Sequence, residues 1–215
     1  MRIAGRAEDF AYDLFLGYGK GAFWHCDHGK LQMGISHPRA TTLYYSYTNM
    51  PASGTITIDG KTSAVNGKAW FDKQGGTYPI TNPSCMWEWF SLRFFDDEEV
   101  MLFSFPQVPY ADGTYIHADG TSERLKSYSV TPLKFTQAGG YRFSCEWQLE
   151  LPGVRRERYR ILPLTEGQLN LAYFELLAAV LDEDGKQAGY CFVELLPGVY
   201  NKRIRSDLIL RKHKS

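Results

Sequence analysis

The pairing in this sequence best suited to chemistry is a carboxylic acid set among indoles. Trp70 and Asp72 lie two residues apart within Lys68-Ala-Trp-Phe-Asp-Lys-Gln-Gly-Gly76, and Trp87 and Trp89 lie two apart within residues 87–97. Residues two apart on an extended strand share a face, so each pair points to one side and the carboxyl stands beside a wall of aromatic rings. Gly75-Gly76 has no Cβ and lets the backbone turn sharply or approach a ligand closely. The environment implied is an apolar pocket with a polar group at its lip. In such a pocket Asp72 is the candidate general acid or base and Gln74 the group that orients a substrate or a water. Lys73 is the neighbour that would oppose a raised Asp72 pKa if it turned inward.

Other side chains fall into the same pattern. Arg93 shares a strand face with Trp87, Trp89 and Ser91, and Phe103 shares one with Met101 and Phe105. Tyr45 and Tyr47 occupy one side of a Tyr- and Thr-rich strand over 41–49, where their hydroxyls would line a cavity. Tyr173 and Glu175 share a face, and Glu194 lies on another aromatic face with Tyr190 and Phe192. With Trp70, Trp87 and Trp89 these side chains are the candidate ligand contacts; in a non-catalytic carrier the two glutamates would instead be buried partners of Arg93 or of tyrosine hydroxyls.

Competing chemistries have weaker footing. His25 and His28 flank a turn-like Asp27-His28-Gly29, with no third ligand at a helpful spacing, so no metal and no cofactor is expected. Cys26, Cys85, Cys145 and Cys191 match no CxxC pattern and read as reduced, mostly buried thiols. No Gly-x-Ser-x-Gly elbow supports ester hydrolysis.

The elements that must carry these residues read as short strands. Lys plus Arg and Asp plus Glu both number 24, so the chain is neutral, with no basic stripe for nucleic acid. Aromatic residues make up 15% and recur in alternating runs, which favours a β-rich protein around an apolar ligand. Asp59-Gly60 and Asp119-Gly120 are hairpin signals, and 182–185 reads as a turn. Residues 169–181 admit a helix, but their Tyr, Phe and Val content and the turn beyond favour a strand. No run of some 18 apolar residues is available to span a bilayer, and the start lacks a signal-peptide core, which gives the expectation of a cytoplasmic protein. Zero net charge also leaves self-association as a homodimer open.

Eight segments in order carry a family resemblance: Tyr44-Tyr-Ser-Tyr-Thr48, Gly54-Thr-Ile-Thr-Ile-Asp-Gly-Lys61, Gly67-Lys-Ala-Trp-Phe-Asp72, Trp87-Glu-Trp-Phe-Ser-Leu92, Met101-Leu-Phe-Ser-Phe105, Gly113-Thr-Tyr115, Tyr173-Phe-Glu175 and Gly189-Tyr-Cys-Phe-Val-Glu194. Together they resemble the lipocalin-like family that includes carotenoid 1,2-hydratases (hydroxyneurosporene synthases) and AttH-type proteins. The resemblance implies an all-β fold, an antiparallel lipocalin-like β-barrel over 51–215 with a partial extra sheet from 1–50, the closing strands of a first barrel. It also implies a hydrophobic small-molecule ligand (lipid, isoprenoid or polyketide-like) with hydratase, isomerase or cyclase chemistry, the alternative being a non-catalytic carrier or interaction module. The family run Trp-Met/Phe-Asp-His-Gln/Glu-Trp-Gly departs here to Lys73 and Gly75, while the aspartate, the amide and the closing glycine stay.

Overall fold

A computed structural model describes residues 1–33, 39–77, 86–106, 110–155, 158–171, 173–198 and 200–201. The expected loop over 78–85, with Cys85, and the strand expected over 204–210 lie outside the described residues. Every regular element described is a β-strand, and all pairings are antiparallel.

The first sheet has six strands: β1 (Arg2–Arg6), β2 (Phe10–Leu16), β3 (Phe23–Trp24), β4 (Lys30–Gln32), β5 (Thr41–Ile58) and β6 (Lys61–Gly76). β5 is its spine, since β2, β3, β4 and β6 all pair with it. The β5–β6 hairpin turns at Asp59-Gly60, with φ of 49° and 75°. Two positive φ values at the centre of a two-residue loop match the right-handed twist of the flanking strands, so the Asp-Gly signal is realised. A bulge between Tyr47 and Met50 leaves Thr48 and Asn49 both buried. Residue 50, where the module boundary is expected, lies within β5. The break between the sheets comes after β6.

The second sheet has ten strands: β7 (Glu88–Phe94), β8 (Glu99–Phe105), β9 (Tyr110–Ile116), β10 (Ser122–Leu125), β11 (Ser129–Ala138), β12 (Tyr141–Glu150), β13 (Tyr159–Pro163), β14 (Gln168–Asn170), β15 (Tyr173–Leu181) and β16 (Gln187–Leu195). Its order is β10-β9-β8-β7-β16-β15-β13-β12-β11, with β14 on β15. Residues 169–170 and 173–181 thus enter strands, as their composition suggested. The sheet curls round one dense core that includes Phe90, Leu92, Tyr115, Phe143, Trp147, Ile161, Phe174 and Val193.

That core fixes where the indole wall can be. Glu88, Phe90, Leu92 and Phe94 of β7 are buried toward the core, so period-two alternation sends Trp87, Trp89, Ser91 and Arg93 out of the opposite face. There the indoles meet the first sheet: Trp87, Trp89, Met101, Phe103 and Phe105 pack with Leu31, Met33 and Tyr44 in a second apolar cluster, with Trp70 against its edge. The expected pocket walled by Trp70, Trp87 and Trp89 is therefore not the interior of the curled sheet. The curled sheet is filled by its own side chains, and the indoles stand between the two sheets.

Candidate functional site

A cleft of about 390 Å³ opens between β6 and the outer face of the second sheet. β6 supplies Trp70 and Asp72; β7 supplies Trp89, Ser91 and Arg93; Leu177 of β15 and Phe192 and Glu194 of β16 complete the wall. Leu177 and Phe192 stay exposed, so the lip is apolar and open. The Trp70 and Trp89 rings meet edge to face, 6.1 Å between centroids.

Asp72 lies directly across from Ser46 in the β5–β6 ladder. The Ser46 hydroxyl donates to its Oδ1, and Trp70 Nε1–H donates to the same oxygen at 2.7 Å. The residue keeps an open edge at the cleft, yet the protein packed around its carboxyl raises the pKa; donors from Ser46, Trp70 and Tyr44 pull the other way and lose. Behind Ser46 stands His25, wholly buried, with Nε2 2.7 Å from Ser46 Oγ and Nδ1 2.9 Å from Thr114 Oγ1. Burial drives its pKa down to about 3, so the ring is neutral. With the single Ser46 hydrogen given to Asp72, Nε2 carries the ring proton and Nδ1 accepts from Thr114, an assignment fixed by the hydrogen-bond network. Asp72, Ser46, His25 and Thr114 form one continuous relay leading inward from the cleft.

Glu194 is the second acid. Trp87 Nε1–H donates to its Oε1 at 2.9 Å, and it lies opposite Glu175 and beside Trp89 in the β-ladder. Desolvation raises it to about 7, with the charges of Glu175 and Asp72 adding to the effect. Glu175 is raised by burial as well. Arg93 closes a salt bridge with neither glutamate among the described residues; the carboxylate that acts on it electrostatically is Glu99. The expected pairing of Glu175 and Glu194 with Arg93 is therefore not formed; the strand register sets Arg93 across from Glu99 of β8 instead.

The cleft gathers Trp70, Asp72, Trp89, Arg93 and Glu194 from the candidates read in the sequence, with Trp87 behind Glu194. Tyr45 and Tyr47 are on the far side of β5, against Trp24 at 4.9 Å and Tyr18 at 5.5 Å. Phe103 is floor beneath the site, packed on Trp87 and Tyr44, and Tyr173 packs on Trp87 from β15. Lys73 is exposed, and alternation puts it on the face of β6 opposite Asp72. Gln74 donates to Thr42 Oγ1 at 2.9 Å, within its own sheet. The Gly75-Gly76 pair continues the ladder to Leu43 and Thr42 and makes no turn, so Asp72 takes its hydrogen bonds from side chains.

Sequence reading missed His25, Ser46, Thr114 and Tyr44. Tyr44, whose hydroxyl accepts Trp89 Nε1–H at 2.9 Å, and Ser46 alternate with Tyr45 and Tyr47. The alternation carries the signal, on the face of β5 opposite to Tyr45 and Tyr47. His25 was weighed only as a metal ligand, and His28 lies apart from it in an exposed turn.

A curled antiparallel sheet with a second sheet on its outer face defines a protein of the lipocalin-like class. The AttH-like family model matches residues 1–198, and the chain belongs to that family. None of the curated proteins compared with it matches significantly. Among solved structures it is similar to an AttH protein from Nitrosomonas europaea, with 22% identity, a TM-score of 0.78 and coverage of 92% of this chain and 65% of that one. It is also similar to kievitone hydratase from Nectria haematococca, with 18% identity, a TM-score of 0.70 and coverage of 93% and 65%. The chain therefore spans just under two thirds of the length of either; at these identities the likeness is one of fold.

Proposed function

We propose that the cleft binds an apolar, unsaturated small molecule and catalyses addition of water across its double bond. The observation that carries this reading is two carboxyl groups of raised pKa, Asp72 and Glu194, on one indole-walled cleft. The fold shared with a protein named as a hydratase is consistent with it. Glu194, near 7, is the proton donor at neutral pH. Asp72, addressed by Ser46 and Trp70, is the better-solvated carboxylate and the base. Glu194 gives a proton to one alkene carbon, the cation left on the other carbon faces the π clouds of Trp70 and Trp89, and water attacks it while passing a proton to Asp72. Solvent at the open lip returns that proton to Glu194, so the net reaction consumes one water and leaves both acids as they began.

The test begins with ligands co-purifying from a cell extract, identified by mass spectrometry and then incubated with protein in oxygen-18 water. A hydratase puts the label into the product hydroxyl. Asp72→Asn and Glu194→Gln are each expected to slow label uptake by about 10²–10⁴-fold while ligand binding persists. Binding without any label uptake by the unaltered protein would instead identify a carrier.

A further inference from the structure

Arg93 is not explained by the chemistry above. Its Nη1 is buried without a hydrogen-bond partner, and no carboxylate among the described residues closes a salt bridge with it. A desolvated guanidinium donor left open costs free energy unless something on the other side accepts from it. Arg93 also lines a second hollow of about 320 Å³, with Asn49 of β5, Lys68 of β6 and Asp97 of the β7–β8 turn, and is the residue the two share. Another buried, unpartnered polar atom, Asn49 Oδ1, belongs to a residue lining the same hollow. The nearby acids are already engaged: Glu99 takes Lys20 Nζ at 3.0 Å and Asn49 Nδ2 at 2.7 Å, and Asp97 faces Lys68 at 3.8 Å. Trp89, Ser91 and Arg93 follow one another on one face of β7, so at ~3.4 Å per residue the indole and the guanidinium are rooted about 14 Å apart.

We infer that Arg93 anchors the anionic head group of the ligand, and that the ligand is an unsaturated amphiphile carrying a carboxylate at one end and its reactive apolar segment against Trp70 and Trp89. An acid held in its protonated form contributes a hydroxyl for Asn49 Oδ1 as well as an acceptor for Arg93 Nη1; an ionised one pairs with the guanidinium alone. This inference rests on the reading of the cleft as the ligand site, and the experiment separates the two.

Quenching of intrinsic tryptophan fluorescence is measured with oleate and with methyl oleate, each below its aggregation threshold, for the unaltered protein, Arg93→Gln and Arg93→Lys. Circular dichroism melts confirm that each variant is folded. The expected result is a preference for the acid over the ester of about tenfold or more, abolished in Arg93→Gln and partly kept in Arg93→Lys, which restores charge without the fork. Equal affinity for acid and ester in the unaltered protein overturns the assignment of Arg93 while leaving the apolar cleft standing. An acid preference that survives in Arg93→Gln overturns it too, because the head group then lies elsewhere. Failure of both probes to quench counts against the cleft as a site for such ligands, and the head-group assignment falls with it.

Discussion

Ser46 holds the relay together, and its two bonds have opposite consequences. Its hydroxyl stabilises the Asp72 carboxylate, and its oxygen accepts from a histidine with no exposure to water. Ser46→Ala is expected to cost about 1–3 kcal/mol in urea denaturation, because His25 Nε2–H is left buried and unpaired. The same change removes a donor that lowers the Asp72 pKa. The acidic limb of the pH–rate profile for hydration should therefore move to higher pH in that variant. Legibility at this scale followed exposure to one strong signal. Trp70, Asp72 and Trp89 stood out because indoles and a carboxyl two residues apart are conspicuous. Serine and threonine are common on strands, so the residues behind Asp72 did not. Likewise Glu99, the last residue of the acidic run 96–99, is buried with Lys20, and Arg155, at the start of the basic run 155–160, stacks on Phe94 at 3.9 Å. Charge runs report solvation on average and cannot report the one member that turns inward.

Among the strands, β7 does the most, since one face enters the core and the other faces the cleft. Its core face includes Glu88, almost wholly buried, which accepts from Ser144 Oγ at 2.7 Å. Burial raises Glu88 from 4.5 to about 7. The folded state then binds the proton more tightly than the unfolded chain, so stability is lost as pH rises from about 4.5 through about 7. Glu88→Gln keeps an acceptor for Ser144 and removes the titration. It should match the unaltered protein at pH ~5 and exceed its stability at pH ~8 by on the order of 2 kcal/mol in denaturant melts. Glu194 contributes a slope of the same sign and His25, held low, one of the opposite sign, so the profile is flattened by Glu88→Gln and not abolished. Strand identity and the turn at Asp59-Gly60 were readable because alternation and Asp-Gly chemistry are local. Which face of β7 looked inward was not, since both faces carry large apolar side chains and the choice depends on the volume supplied by β12 and β15.

At the level of the whole molecule, the two sheets are joined by the aromatic cluster on the outer face of the curled one. Phe103 lies at its centre, stacked on Phe105 at 5.4 Å and against Trp87 at 5.7 Å. Phe103→Ala should destabilise the protein by about 3–5 kcal/mol through the cavity it leaves. It should also weaken ligand quenching of the cleft tryptophans, because the floor beneath them gives way. The family and the all-β architecture were legible from eight ordered segments, whereas the packing of one sheet on the back of the other was not. No local pattern encodes which of two apolar surfaces becomes the contact between modules.

The shared position of β7 also makes the protein its own reporter. A guest bound in the proposed cleft would rest on Trp89 and Ser91, on the same backbone whose reverse side carries Phe90 and Leu92, and its occupancy would be felt as resistance to heat throughout the chain. A compound present at about one hundred times its dissociation constant would add about 2.7 kcal/mol to the unfolding free energy. Melting-temperature screens of unsaturated acids can thus sort guests from bystanders before any product has been identified.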